Sequence, residues 1–177
     1  MLRLKVDARE FFDEKKQEFV VFKGGVLVLE HSLLSISKWE AKWKKPFLKS
    51  EKTKEETFDY IRCMTVNSNV NELIYSCLSA KQVEEIADYM NDPMTATTIK
   101  DTKRSNQIIT SEIIYYWMIA QNVPIEFEKW HINRLLTLLK VCAINNNPKK
   151  NNMSRSEVMR QNRELNRARR AKYHTKG

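Results

Sequence analysis

Residues 24–46 read GGVLVLEHSLLSISKWEAKWKKP. Two periods meet inside this stretch. Val26 to Leu29 is a short aliphatic, β-branched run behind a Gly-Gly pair, the composition of a strand leaving a turn. From Ser32 the spacing changes. Leu33, Ile36, Trp39 and Trp43 fall within a ~120° arc at ~100° per residue, which makes them one apolar stripe of a helix. Lys38, Lys42 and Lys45 lie off that stripe. Pro46 ends the helix, because it donates no backbone hydrogen bond and restricts Lys45. The chain therefore passes from strand to helix near residue 30, and the expected fold class is α+β, mostly α-helical.

Upstream, Leu2, Leu4 and Val6 alternate with Arg3 and Lys5, and Phe19 to Phe22 is a second short strand-like run. With the turn signal Lys23-Gly24-Gly25, residues 1–30 are expected to hold a small N-terminal β-hairpin closed across Gly24-Gly25. Downstream the signals are helical. Thr53-Lys54-Glu55-Glu56 is a capping box and starts a helix through Phe58, Ile61 and Met64. A short helix is expected over Val70–Leu78. Ser79-Ala80-Lys81-Gln82 is a second capping box, for a helix through Val83, Ile86 and Met90 that stops at Asn91-Asp92-Pro93. Residues 93–107 are polar and read as a loop. Ile109, Ile113, Tyr116, Trp117 and Ala120 are expected to line one face of the next helix. Pro124 breaks it. A further helix from about Phe127 to Ile144 should turn Leu135, Leu138, Leu139 and Cys142 inward. This last pair is apolar enough to be expected as the centre of the core.

Charge divides the chain. Of 177 residues, 31 are Lys or Arg and 22 are Asp or Glu, for a net +9. Residues 1–147 hold 21 basic and 20 acidic residues, whereas residues 148–177 hold 10 and 2. The expected organisation follows: a mostly helical globular domain over 1–147 (hairpin 1–30, helices 31–147), then a polar linker and a basic C-terminal helix over 148–177. Asn145 to Asn152 supplies the linker, and Ser154-Arg155-Ser156-Glu157 offers a third capping box. In the helix it starts, Arg160, Arg163, Arg167 and Arg170 fall within a ~80° arc, and Arg155, Arg169 and Lys172 add charge around them. Three readings stay open for these residues: contact with nucleic-acid phosphates, docking on an acidic protein surface, or a solvated tail.

Several function classes are excluded or disfavoured. Hydrophobic residues at 42% and aromatics at 10% rule out wholesale disorder. No run approaches ~20 consecutive apolar residues, so no membrane partner is expected. The opening MLRLKVDAREFF lacks the apolar centre of a signal peptide. Three glycines leave no material for glycine-rich phosphate loops, and HExxH, GxSxG and GxGxxG patterns are absent. His31 and His131 are the candidate general bases, though capping or half-buried core histidines are the plainer reading. Glu55-Glu56 and Glu84-Glu85 sit in first turns of helices, where the helix dipole favours them. Cys63, Cys77 and Cys142 are odd in number and widely spaced, as expected of free thiols in a reducing compartment. An enzyme is not expected, and no catalytic, cofactor-binding or metal residue is assigned. The aromatics Trp39 and Trp43, and Tyr115, Tyr116, Trp117, Phe127 and Trp130 around Pro124, are either core or anchors for a protein partner. Trp39 and Trp43 among lysines could also stack on bases, against which Glu40 in the same stretch argues.

Four stretches carry a resemblance. Leu29 to Leu48 (LEHSLLSISKWEAKWKKPFL), Met94 to Thr98 (MTATT), the Tyr115-Tyr116-Trp117 helix and Asn162 to Gly177 (NRELNRARRAKYHTKG) are similar to proteins encoded in tail gene clusters of tailed bacteriophages. Together they resemble the tail assembly chaperone family. The resemblance implies a protein of the host cell cytoplasm that binds the long, helical, aggregation-prone tape measure protein. It implies assistance to tail-tube subunits as they polymerise, and absence from the finished particle. It also implies no catalytic residue and no cofactor. A longer product made by ribosomal frameshifting is common in that family, and Lys149-Lys150 could be encoded by a slippery A-rich run. On this reading Trp39, Trp43, Tyr115, Tyr116, Trp117 and Trp130 are the candidate partner-binding residues. The alternatives are a nucleic-acid-binding protein using the basic helix, or a structural connector or tail component of the virion.

Overall fold

A computed structural model describes residues 1–13, 17–99, 107–146 and 155–173. Two compact units are present, Met1–Ala143 and Ile144–Gly177. The first is the α+β body. Its elements are β1 (Leu2–Val6), β2 (Arg9–Asp13), β3 (Glu18–Phe22), β4 (Gly25–Leu29), α1 (Leu33–Trp43), α2 (Lys54–Met64), α3 (Leu73–Ser76), α4 (Ala80–Asn91), α5 (Ser111–Ala120), a 3-10 turn (Ile125–Lys129) and α6 (Ile132–Asn146). The expected boundary after residue 147 lies outside the described residues.

The four strands do not pair as the Gly-Gly signal suggests. β1 pairs antiparallel with β4, and β2 with β3, so β3 and β4 are not partners. One register runs through both ladders. The pairing that sets Leu2 against Leu29 and Val6 against Gly25 resumes with Arg9 against Phe22. Asp7-Ala8 and Lys23-Gly24 form the break between them. Gly24 has φ +82°, and a Cβ there would lie 3.1 Å from Ala8 N and Val6 O. The glycine pair therefore marks a bend in a long ribbon rather than its tip, a conformation that glycine reaches without steric cost.

Strand alternation buries Leu4 and Val6 of β1 and Leu27 and Leu29 of β4 against the helices. The outer edge of β4 is covered. Glu30 N donates to Met64 O at 2.9 Å and Val66 N to Val28 O at 2.9 Å. Asn67 then acts as a substitute strand: its Oδ1 accepts from Val28 N and its Nδ2 donates to Val26 O, both at 2.9 Å.

The helix starts follow local chemistry. Ser32 Oγ caps α1 through Ser35 N, and both capping boxes form at Thr53/Glu56 and Ser79/Gln82. Lys44, at φ 55°, closes α1 before Pro46. The α5–α6 pair does not form the core by itself. One buried cluster draws on Leu27 and Leu29 of β4, Leu33, Ile36 and Trp39 of α1, Tyr60, Ile61 and Met64 of α2, and Ile114, Met118, Ile132, Leu135 and Leu139 of α5 and α6. α5 also turns a different face inward. Ser111, Ile114 and Met118 are buried, while Tyr116 and Ala120 of the expected stripe are exposed. SEIIYYWMIA is apolar nearly all round, so its own period chooses no face. Before α6, the chain after Pro124 makes a 3-10 turn instead of entering a helix at Phe127.

The second unit contains α7 (Arg155–Tyr173), the expected basic helix.

Candidate functional site

The histidines that the sequence singles out are brought together. Ile132 N donates to His31 O at 2.7 Å and ties the start of α6 to the start of α1. The two imidazoles then lie edge to face with centroids 5.1 Å apart. Both are buried. His31 Nδ1 shares a 2.5 Å hydrogen bond with the Tyr60 hydroxyl. His131 Nε2 donates to Tyr89 O at 3.1 Å and its Nδ1 accepts from Asn133 N, which fixes a neutral tautomer. Burial, then the neighbouring His131, then Lys52, lower His31 to about 3. Burial also lowers His131. Glu30 completes the cluster, accepting from Tyr89 Oη at 2.6 Å and meeting the Met1 amine at 3.1 Å. Every polar atom named here has a partner within the cluster. The histidines tie the starts of α1 and α6 to each other and to α2 and α4.

The Trp39/Trp43 pair is likewise structural. Trp39 has no exposed surface, and its Nε1 donates to Glu56 O at 2.9 Å. Trp43 packs against the core and donates to Asp59 Oδ2 at 2.8 Å. Trp39 therefore offers no anchor for a partner and no platform for a base. The lysines around them pair with α2: Lys42 with Asp59 and Lys45 with Glu56, each at 2.5 Å. Burial raises Asp59, but donors from Lys42 and Trp43 outweigh it, and the net shift is downward.

Glu40 was legible only as a charge. In the structure it is buried. Its Oε1 accepts from Phe47 N and its Oε2 from Ser111 N, both at 2.7 Å. One carboxylate thus holds the loop after α1 and the first residue of α5, a helix whose Thr110 side chain accepts no capping bond from its first turn.

The aromatics around Pro124 divide. Tyr115 donates to Glu128 Oε2 at 2.7 Å and Trp117 packs on the core. Trp130 is half-buried, stacked on Phe127 at 4.0 Å with the Arg134 guanidinium 4.0 Å from its ring centroid. Only Tyr116 of this expected group is largely exposed, at 66%.

Among the described residues, an apolar groove of about 400 Å³ is lined by Ile109, Trp117, Leu136, Leu139 and Ala143, with Gln121 and Lys140. Gln121 Oε1 is itself buried, out of reach from the groove, and meets no donor among the described residues. An acceptor in that state costs about 1–3 kcal/mol until something donates to it. No spacing in the sequence announces this groove, because Ile109 precedes α5 and Gln121 follows it.

On α7 the described side chains of Arg160, Arg163, Arg167, Arg169 and Arg170 are all exposed. The side chains of Arg155 and Lys172 lie outside the described residues. The three cysteines are free thiols, and the described residues contain no His, Cys, Asp and Glu cluster able to hold a metal ion. None of the described helices is long and apolar enough to cross a membrane. No family model, curated protein or solved structure matches the chain.

Proposed function

We propose that the chain is a non-catalytic tail assembly chaperone of a tailed phage, with the tape measure protein as client and the tail-tube protein as second partner. The observation that carries the reading is the groove between Ile109–Trp117 and Leu136–Ala143. A long helical client needs an apolar trough that takes an amphipathic face. Aliphatic side chains and Trp117 supply the trough. Tyr116 and Ile119 add exposed apolar surface on α5. The phage resemblance supplies the identity of the client, and the groove supplies a place for it. Of the aromatics expected as anchors, Trp117 and Tyr116 remain in the proposal and Trp39 leaves it.

The test is a nuclease-treated affinity pull-down from cells expressing the source phage genes, using the full chain and Ala143→Glu. Ala143 is an exposed groove residue, so the substitution puts charge in the trough without opening the core. A large tape-measure-like protein retained by the wild type and lost from the variant is expected. Equal retention removes the groove from the proposal. Retention of no tail protein, or stoichiometric presence of the chain in purified particles, overturns the chaperone reading in favour of another role.

A further inference from the structure

We infer that α7 is a DNA-binding helix that enters the major groove of duplex DNA. The inference is independent of the client reading, because it uses no residue of the body.

The geometry starts from a helix of 19 residues, Arg155–Tyr173, ~28 Å long at ~1.5 Å per residue. Arg160, Arg163, Arg167 and Arg170 occupy one ~80° arc. They span ~15 Å of axis, over which one DNA strand presents four or five phosphates at ~3.4 Å each. A second row lies about a third of a turn away. Asn162, Asn166 and Arg169 are spaced four and three residues apart, and all three side chains are exposed. With that row toward the groove floor, the arginine arc meets the groove wall. Asn and Arg are the side chains whose paired donors and acceptors fit adenine and guanine edges, and guanidinium groups grip phosphate. One helix thus presents a phosphate-contacting face beside a base-reading face.

Two arguments select DNA over other polyanions. A helix that docks on a protein carries apolar anchors at three- and four-residue spacing. The large apolar side chains described on α7 are Met159, Leu165 and Tyr173, which stand six and eight residues apart and make no row at three- or four-residue spacing. A-form RNA has a major groove too deep and narrow for side chains to read, whereas that of B-form DNA is ~12 Å wide and admits a helix. The charge distribution agrees. Seven of the 31 basic residues fall within these 19 positions, against two acidic ones.

The experiment is fluorescence anisotropy with the full-length protein and labelled duplexes of about 20 base pairs, in DNA and RNA form. Four phosphate contacts give a log–log salt slope near −3.6, so DNA affinity should fall roughly a hundredfold between about 50 and about 200 mM salt. Arg163→Gln with Arg167→Gln should halve the slope, while Arg163→Lys with Arg167→Lys should keep it. The Lys variant separates lost charge from lost helix, and circular dichroism of both checks the fold. Asn162→Ala with Asn166→Ala should leave the slope unchanged and flatten any preference among DNA sequences. Absence of binding at low salt, a slope unmoved by the Gln substitutions, or equal affinity for duplex RNA overturns the inference. Displacement of DNA by poly-glutamate at equal charge concentration also overturns it, in favour of an acidic protein partner.

Discussion

Lowering the pH from 7 to about 5 should destabilise the body by about 2 kcal/mol through His31 alone. The fold holds this imidazole neutral, buried between Tyr60, Phe47 and His131, and its pKa falls to about 3. An unfolded chain returns it to ~6.5. Between those values the unfolded state binds the extra proton, so stability is complete above pH ~6.5 and falls as the pH drops towards 3. Each pH unit inside the window costs about 1.4 kcal/mol. At pH 5 that amounts to about 2 kcal/mol, or a midpoint lower by about 4–8 °C for a chain of this size. His131 is shifted the same way by burial and adds to the loss. The carboxylates that the fold depresses act at lower pH. Glu56 is depressed mainly by its hydrogen bond from Lys45, Glu112 by backbone and Thr110 donors, and Asp59, despite burial, by donors from Lys42 and Trp43, so their contributions are lost as the pH falls through the usual carboxylate range and below it.

The assay is urea unfolding followed by circular dichroism at a series of pH values, for the wild type and His31→Asn. Asparagine places a polar atom near the Nδ1 position and keeps a partner for the Tyr60 hydroxyl, but it cannot titrate. The variant starts less stable at pH 7 because the ring leaves a void. The gap between the two proteins should then narrow by about 2 kcal/mol at pH 5, with the m value unchanged. A gap that stays constant within about 0.5 kcal/mol would show that His31 titrates normally in the fold, and the buried-pair argument would fail.

Glu40→Ala strands two buried N–H groups, those of Phe47 and Ser111, and should cost about 3–4 kcal/mol in urea unfolding. Glu40→Gln should recover half of that at most, since it keeps one acceptor for two donors. Gly24→Ala should lower the melting temperature by several degrees, because φ +82° and the 3.1 Å approach to Ala8 and Val6 both oppose a Cβ, whereas Gly25→Ala, which meets the flexible end of Ile74 at 3.3 Å and Phe22 at an ordinary 3.6 Å, should change it little. Thr53→Ala removes one half of a capping box and should cost about 1 kcal/mol, read from the urea midpoint.

What the sequence disclosed was whatever is encoded locally. Thr53 and Glu56 are three residues apart, and so are Ser79 and Gln82, so each capping box is complete within one turn and reads directly. The stripe Leu33, Ile36, Trp39 reads because Lys38 and Lys42 alternate with it and leave one apolar face. α5 lacks that contrast, and its inward face is chosen by the surface it lands on. Gly24-Gly25 misleads because a bend in a ribbon and the tip of a hairpin require the same positive φ; only the distant pairing of Leu2 with Leu29 separates the two. The contacts of Glu40 and of the histidine pair do not read, for the same reason, although core histidines are the plainer reading of the sequence and both are buried. Their partners lie 71 residues away at Ser111 and 29 residues away at Tyr60, and nothing near them in the chain points to those partners.

The way charge is handled separates the two proposed binding modes. In the body, several cations meet internal partners: Lys42 meets Asp59, Lys45 meets Glu56, Arg62 meets Glu72, and the Met1 amine meets Glu30. The groove is lined mainly by hydrocarbon, so a client held there is held by burial, which excluded salts such as sulfate strengthen. The described α7 arginines enter no such ion pair with other described residues and stand in solvent, where counterions compete for any phosphate they touch. Salt therefore acts on the two modes in opposite directions. One preparation, titrated with ammonium sulfate while client and DNA are both present, should exchange DNA for client as the salt rises. Loss of both ligands together would mean that the client is also held by charge, and the groove would no longer be the reason it binds.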